Sequence, residues 1–175
     1  AQMKVLADLA KTKSLYIQTH LSENPEEIDY VLNLYRQQYE GFRDVQSYTE
    51  IYDRMDLLTS RTILGHCIHL EDHEWRLLRQ RRAKIAHCPS SNAPIRKKGL
   101  GSGLFNFQKA NRYGLLWAFG SDIGAGPYLS MWDVLLSFVE QNQFQLRRED
   151  LIVEGFYRAT LAGAEILGQH DKLGN

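Results

Sequence analysis

Two cysteines in 175 residues, Cys67 and Cys88, are too few for a disulfide framework, and each directly follows a histidine. A reduced, cytoplasmic setting is the expectation. Charge of one sign is lacking as well. The 21 basic residues balance 21 acidic ones, so no long-range field draws the chain toward nucleic acid or an anionic membrane surface. The one basic cluster, Arg96, Lys97 and Lys98, is local and reads as part of a solvated loop. No apolar run approaches the roughly 20 residues of a membrane span, and no signal peptide is visible. Low-complexity segments and close repeats are also missing. What remains has the length of one domain and can bury a real core.

Both ends read as cut, which predicts a piece of a longer chain. "AQMKVLADLAKTKS" has Met3, Leu6 and Leu9–Ala10 at helical spacing with no cap before it, and "LGN" follows directly on a helix exit. Between the ends one pattern recurs: a short apolar run closing on a polar residue, a loop, then an amphipathic helix. "SLYIQTH" (14–20) precedes a helix from about Pro25, where Asn24 can cap, proline suits the first helical position, and Glu26 and Glu27 favour the positive helix end. Ile28, Val31, Leu32 and Tyr35 form its apolar stripe. "SYTEIYDRM" (47–55) predicts a short helix. "RTILGHC" (61–67) and "AKIAHC" (83–88) are further strands, each with a helix to follow, near 71–82 and 104–113. "LLWAFGSD" (115–122) is the fourth strand, and helices near 129–142, 148–158 and 160–168 complete the chain.

Alternating strands and helices predict parallel strands joined by crossover helices. In such a sheet all strand tips lie on one side, which in a β/α barrel is the active-site side. The tips here are His20, His66, His87 and Asp122. One histidine at a strand end is commonly structural, but four successive tips carrying His or Asp point to a site. Histidine and carboxylate are the usual ligands of a catalytic zinc that keeps one position open for water. A carboxylate off the metal can move protons. Glu23, three residues past His20, either turns back into the mouth for that purpose or belongs to the first turn of the following helix. His66-x-x-His69-x-x-x-His73 invites a local metal cluster, but a strand ending near Cys67 places His73 on the next helix. Cys67 and Cys88 are expected to face away from the mouth into barrel–helix packing. His87, with Ser90, Ser91 and Asn92, is expected to shape the pocket or the loop rather than to ligate. Trp75, Trp117 and Trp132 fit core or subunit contacts, and Phe105 is the aromatic nearest the mouth.

The segments "THLSENPEEI", "GHCIHLEDHEW", "IAHCPSSN", "GLGSGLFN" and "GSDIGAG" resemble, in this order and over nearly all of the chain, the guanine deaminase branch of the amidohydrolase superfamily. The resemblance implies an α/β fold that is part of a TIM (β/α)8 barrel, about strands five to eight with their helices, residues 1–175 forming one partial domain. It implies zinc-dependent hydrolysis of guanine to xanthine and ammonia, a step of purine catabolism. On matching positions, His20 and Asp122 resemble the zinc ligands of strands five and eight. Glu23 resembles the proton shuttle, and His66 the strand-six histidine that meets substrate and attacking water. Asp122 also accepts the water's proton, and His20, Glu23 and His66 border the purine.

Two departures matter. The family's first strand carries a His-x-His pair that supplies two more zinc ligands, and no such motif occurs here. The chain alone is therefore expected to be inactive or nearly so, and its open barrel edges to favour a homodimer or other association. In addition, Ala93–Gly99 reads as an insertion into the loop before "GSGLF", adding three positive charges near the mouth. Two alternatives stay open. One is a deaminase or chlorohydrolase acting on another aminated heterocycle, such as a pterin, a triazine or an adenine-type nucleoside. The other is a truncated, non-catalytic paralogue retained for protein interaction.

Overall fold

In the computed structural model, which describes residues 2–94 and 99–174, the elements follow in the order α1 (Gln2–Thr12), β1 (Ile17–Leu21), α2 (Pro25–Gln38), α3 (Tyr48–Arg54), β2 (Thr62–His66), α4 (Asp72–Arg81), β3 (Lys84–His87), α5 (Pro89–Asn92), α6 (Phe107–Arg112), β4 (Trp117–Phe119), α7 (Met131–Asn142), α8 (Arg148–Ala159) and α9 (Leu161–Ile166). The four sequence strands are all present, shortened to the residues that form ladder bonds. Two compact units divide them. The first takes in Ala1–Lys84 and Phe107–Leu115, the second Ile85–Asn106 and Leu116–Asn175.

In the first unit β1 and β2 pair in parallel, Ile17 opposite Thr62 through Leu21 opposite His66. Leu21, Val45, Ile51, Leu64, Trp75 and Leu78 are buried in its core. The start of α2 is built as its sequence implies: the Asn24 side chain accepts from Glu27 N–H at 2.8 Å, with Pro25 at the first helical position. The α2 stripe is only half-buried, and no α2 residue is buried completely. On α1 the buried positions are Ala7 and Ala10, whereas Val5, Leu6 and Leu9 are exposed. Of the residues at helical spacing, Met3, Leu6, Leu9 and Ala10, only Ala10 is buried, and small alanines form the inward face of α1. Lys109 on α6 pairs with Asp72 at 2.5 Å, and the Tyr113 ring stacks on Trp75.

In the second unit β3 and β4 pair in parallel, Ile85 opposite Trp117 through His87 opposite Phe119. Its core is aromatic: Phe105, Phe107, Trp117 and Phe138 are all buried, with Ile85 and Leu151. One charged side chain enters it. Arg158 is 8% exposed; it donates to the Trp117 carbonyl at 3.0 Å and to Glu154 at 2.8 and 3.0 Å, and lies 4.1 Å over the Trp117 ring. A buried guanidinium is tolerated only when paired and hydrogen-bonded, and here it fastens α8 to the carbonyl edge of β4. Trp132, by contrast, is 57% exposed beside Phe156, which is 53% exposed. The Ala93–Gly99 stretch that reads as an insertion, with Arg96, Lys97 and Lys98, falls largely outside the described residues.

Candidate active site

The tip of β1 is set by main-chain bonds. Leu21, fully buried, ends the strand, and its carbonyl accepts from Cys67 N–H at 2.9 Å. Ser22 takes φ 50°, a left-handed conformation uncommon outside glycine, asparagine and aspartate. Its carbonyl accepts from both Ile68 and His69 N–H at 3.1 Å. Glu23 then lies before the cap of α2, outside the first turn. Its N–H donates to the Glu27 carboxylate at 2.8 Å, which leaves its own side chain directed elsewhere: Glu23 Oε2 is 3.7 Å from His66 Nε2. The bland alternative for Glu23, a first-turn residue of the helix, does not describe its place.

His66 closes β2 at φ 71°, and Cys67 follows at φ 53°. Two consecutive non-glycine residues at positive φ cost backbone energy, the kind of strain that persists where the surrounding structure over-determines it. His66 is 2% exposed. Its ring lies 4.9 Å from that of His20, edge to face. The first unit thus brings His20, Glu23 and His66 together, on two adjacent parallel strands, within reach of one small ligand. His73 lies on α4, exposed and 3.4 Å from Glu71, and among the described residues neither it nor His69 joins a cluster of metal-type ligands.

The second unit holds Asp122, half-buried in the turn after β4 at φ 48°. Its carbonyl accepts from Ala125 at 3.1 Å and Gly126 at 2.7 Å, closing a tight loop. A Cβ on Gly126 would lie 2.5 Å from the Ser121 carbonyl oxygen and 3.1 Å from the Ser90 hydroxyl. Glycine is required there by space. Gly126→Ala is expected to push the Asp122 loop outward, at a cost of about 1–3 kcal/mol typical of overpacking. A thermal melt of the variant checks this.

His87 is buried and stacked 4.7 Å from Phe105, with Trp117, Phe119 and Phe138 around it. Its neighbour departs from expectation. The Cys88 thiol lies within 4.8 Å of an Asp122 carboxylate oxygen and against Gly120, where a Cβ would come within 3.1 Å of the sulfur. Strand alternation placed it facing away, but Cys88 lies past the last ladder residue at φ −116°, ψ 72°, where the period of two no longer governs. Imidazole, carboxylate and thiol are all donors that zinc accepts, so the side chains present fit that ion in kind.

Strand–helix alternation with metal-type side chains at the strand tips is the pattern of a known class of α/β proteins, and the chain belongs to the amidohydrolase family, whose sequence pattern matches residues 1–175. Among individual proteins it is similar to the guanine deaminase of Mus musculus, 35% identical over 178 residues that cover 99% of this chain and 37% of that one. A solved guanine deaminase of E. coli superposes at TM-score 0.85 with 36% identity, covering 99% of this chain and 38% of the other. One from C. acetobutylicum, with guanine bound in its active site, superposes at 0.82 with 30% identity over 99% and 39%. The chain therefore spans somewhat more than a third of the length of these relatives.

Proposed function

We propose that this chain supplies the second half, about strands five to eight, of a (β/α)8 barrel that deaminates guanine to xanthine and ammonia in cytoplasmic purine catabolism. The observation that carries the proposal is the placing of Glu23 3.7 Å from His66 Nε2 with the His20 ring alongside, in a chain similar to a guanine deaminase with guanine in its active site. His20 and Asp122 would hold a zinc ion, together with two imidazoles that this sequence does not carry. When bound, the ion supplies the Lewis acidity that makes water a nucleophile near neutral pH. Asp122 takes a proton from that water as it adds to the carbon bearing the amino group. Glu23, outside the ligand set, gives its proton to the adjacent ring nitrogen, receives the one Asp122 took and passes it to the departing amine. It is restored by the added hydroxyl's remaining proton as the carbonyl forms, so that one water is consumed and one ammonia released. His66, buried at the end of β2, orients substrate and water and keeps bulk solvent from that side of Glu23.

Two consequences distinguish this chain. With only two of the ligands it is catalytically silent by itself, and it associates with a second copy. The exposed apolar side chains of α7 and α8 support that association: Trp132, Leu136, Val153 and Phe156 are each at least half exposed. No helix among the described residues is long and apolar enough to cross a membrane. The purified chain with added zinc is expected to release no ammonia from guanine, and to elute as a dimer or larger by size exclusion with light scattering. Turnover that is lost on Glu23→Gln would overturn the first expectation, and a clean monomer at high concentration the second.

A further inference from the structure

The four residues at the β1 tip are held unequally. The carbonyls of Leu21 and Ser22 are tied by main-chain N–H groups of 67–69, just past the end of β2, and the N–H of Glu23 by the helix-start glutamate Glu27. The carbonyl of His20 is held differently. It accepts a hydrogen bond of 2.9 Å from the phenol of Tyr52, which comes from α3, 32 residues further along the chain. The same hydroxyl lies 3.1 Å from Thr19 Oγ1 and 2.9 Å from the hydroxyl of Tyr48. Both tyrosines are buried, at 8% and 7% exposure. Tyr48 and Tyr52 stand four apart on one helical turn, so α3 presents both hydroxyls in the same direction.

The helix that carries them is itself fixed. Ser47 caps it by accepting from Glu50 N–H at 3.2 Å. Thr49 Oγ1 donates at 2.7 Å to Glu74, a carboxylate 4% exposed, whose other oxygen accepts from Glu71 N–H at 2.9 Å at the start of α4. Glu74 therefore links α3 to the loop that leaves β2 just past His66. A buried carboxylate is costly unless its oxygens are hydrogen-bonded, and here its bonds join the element that holds His20 to the segment that follows His66.

We infer that Tyr52 is a positioning residue: its hydroxyl, steered by Tyr48 and Thr19, fixes the main chain of His20 and so the direction in which the imidazole leaves the strand. The inference rests on the proposed role of His20 in the site, but not on turnover. Groups standing behind a metal ligand change metal affinity by about 10–100-fold when removed.

The test uses the chain as it stands, with histidine rings isotope-labelled and followed by NMR, and zinc affinity measured by competition with a chelator. Tyr52→Phe removes one oxygen. It is expected to shift or split the His20 ring signals while leaving those of His69 and His73 unchanged, and to weaken zinc binding by about tenfold. Tyr48→Phe leaves the Tyr52 bond to His20 in place and is expected to have a smaller effect. A folded Tyr52→Phe chain with unmoved His20 signals and unchanged zinc affinity would overturn the inference. If Tyr52→Phe does not fold, Thr19→Val and Tyr48→Phe are combined, which removes both groups that steer the hydroxyl, and unmoved His20 signals in that double variant count against the inference. Should the wild-type chain, with only two of the ligands, bind no zinc, the ring signals by themselves decide the role of Tyr52, while the proposed function is decided by turnover in a complete barrel.

Discussion

Glu23→Gln is expected to lower guanine turnover by about 10²–10⁴-fold in a protein that contains this segment within a complete barrel, the usual contribution of a positioned general acid–base group. The substitution keeps shape and hydrogen-bonding capacity but removes the group that carries protons to ring nitrogen and amine in the proposed reaction. Because the Glu23 N–H, rather than its side chain, makes the bond to Glu27, the loop should keep its conformation. Zinc content and melting temperature should therefore stay near wild type. The decisive comparison is kcat against metal content in the same preparation. Loss of activity in proportion to loss of zinc would make Glu23 a structural or ligand residue instead. Retention of more than about a tenth of the activity would remove it from proton transfer.

The second large effect is on stability. Trp117 is completely buried and touches His87, Phe105, Phe119 and Phe138, with the Arg158 guanidinium 4.1 Å over its ring. Trp117→Ala is expected to cost about 3–5 kcal/mol, the range for deleting a large buried ring from a core that cannot collapse around the void. At this chain length that lowers the melting temperature by roughly 6–20 °C. Arg158 keeps Glu154 and its main-chain acceptor but loses the aromatic face, so a buried charge is left less well covered. Trp117→Phe, which keeps a ring in place, should recover much of the loss. Calorimetry of the three proteins checks this, and equal melting temperatures for wild type and the alanine variant would mean that the second unit is not organised around this tryptophan.

The strands and most helices were legible because each has a local cause. Proline and Asn24 at the start of α2, the β-branched run before His66, and the turn-rich stretch after Cys88 act over a few residues. The polar tips were legible for the same reason, and the structure brings His20, Glu23 and His66 close together within the first unit. Less could be read where a partner is distant in sequence. Tyr52 reaches His20 across 32 positions and Arg158 reaches Trp117 across 41, and nothing in "SYTEIYDRM" or "EGFYRAT" marks those contacts. Alternation also failed at its own boundary. Cys88 sits one residue past the ladder, where turn dihedrals rather than the pleat direct the side chain, and its thiol comes toward Asp122. On α1, Met3, Leu6, Leu9 and Ala10 share a helical spacing, but of these only Ala10 is buried, together with Ala7, because spacing alone does not say which of two overlapping stripes faces inward.

The most direct measurement is made in a chimera. The segment of the E. coli guanine deaminase that superposes on this chain, 38% of that protein, is replaced by residues 1–175, and xanthine and ammonia release from guanine is followed with zinc present. Turnover that disappears with Glu23→Gln is the predicted result, since under the proposed function the rest of the barrel completes the site to which this chain gives His20, Glu23, His66 and Asp122. A folded, zinc-loaded chimera that is inert toward guanine would contradict the assignment of these four residues to guanine deamination.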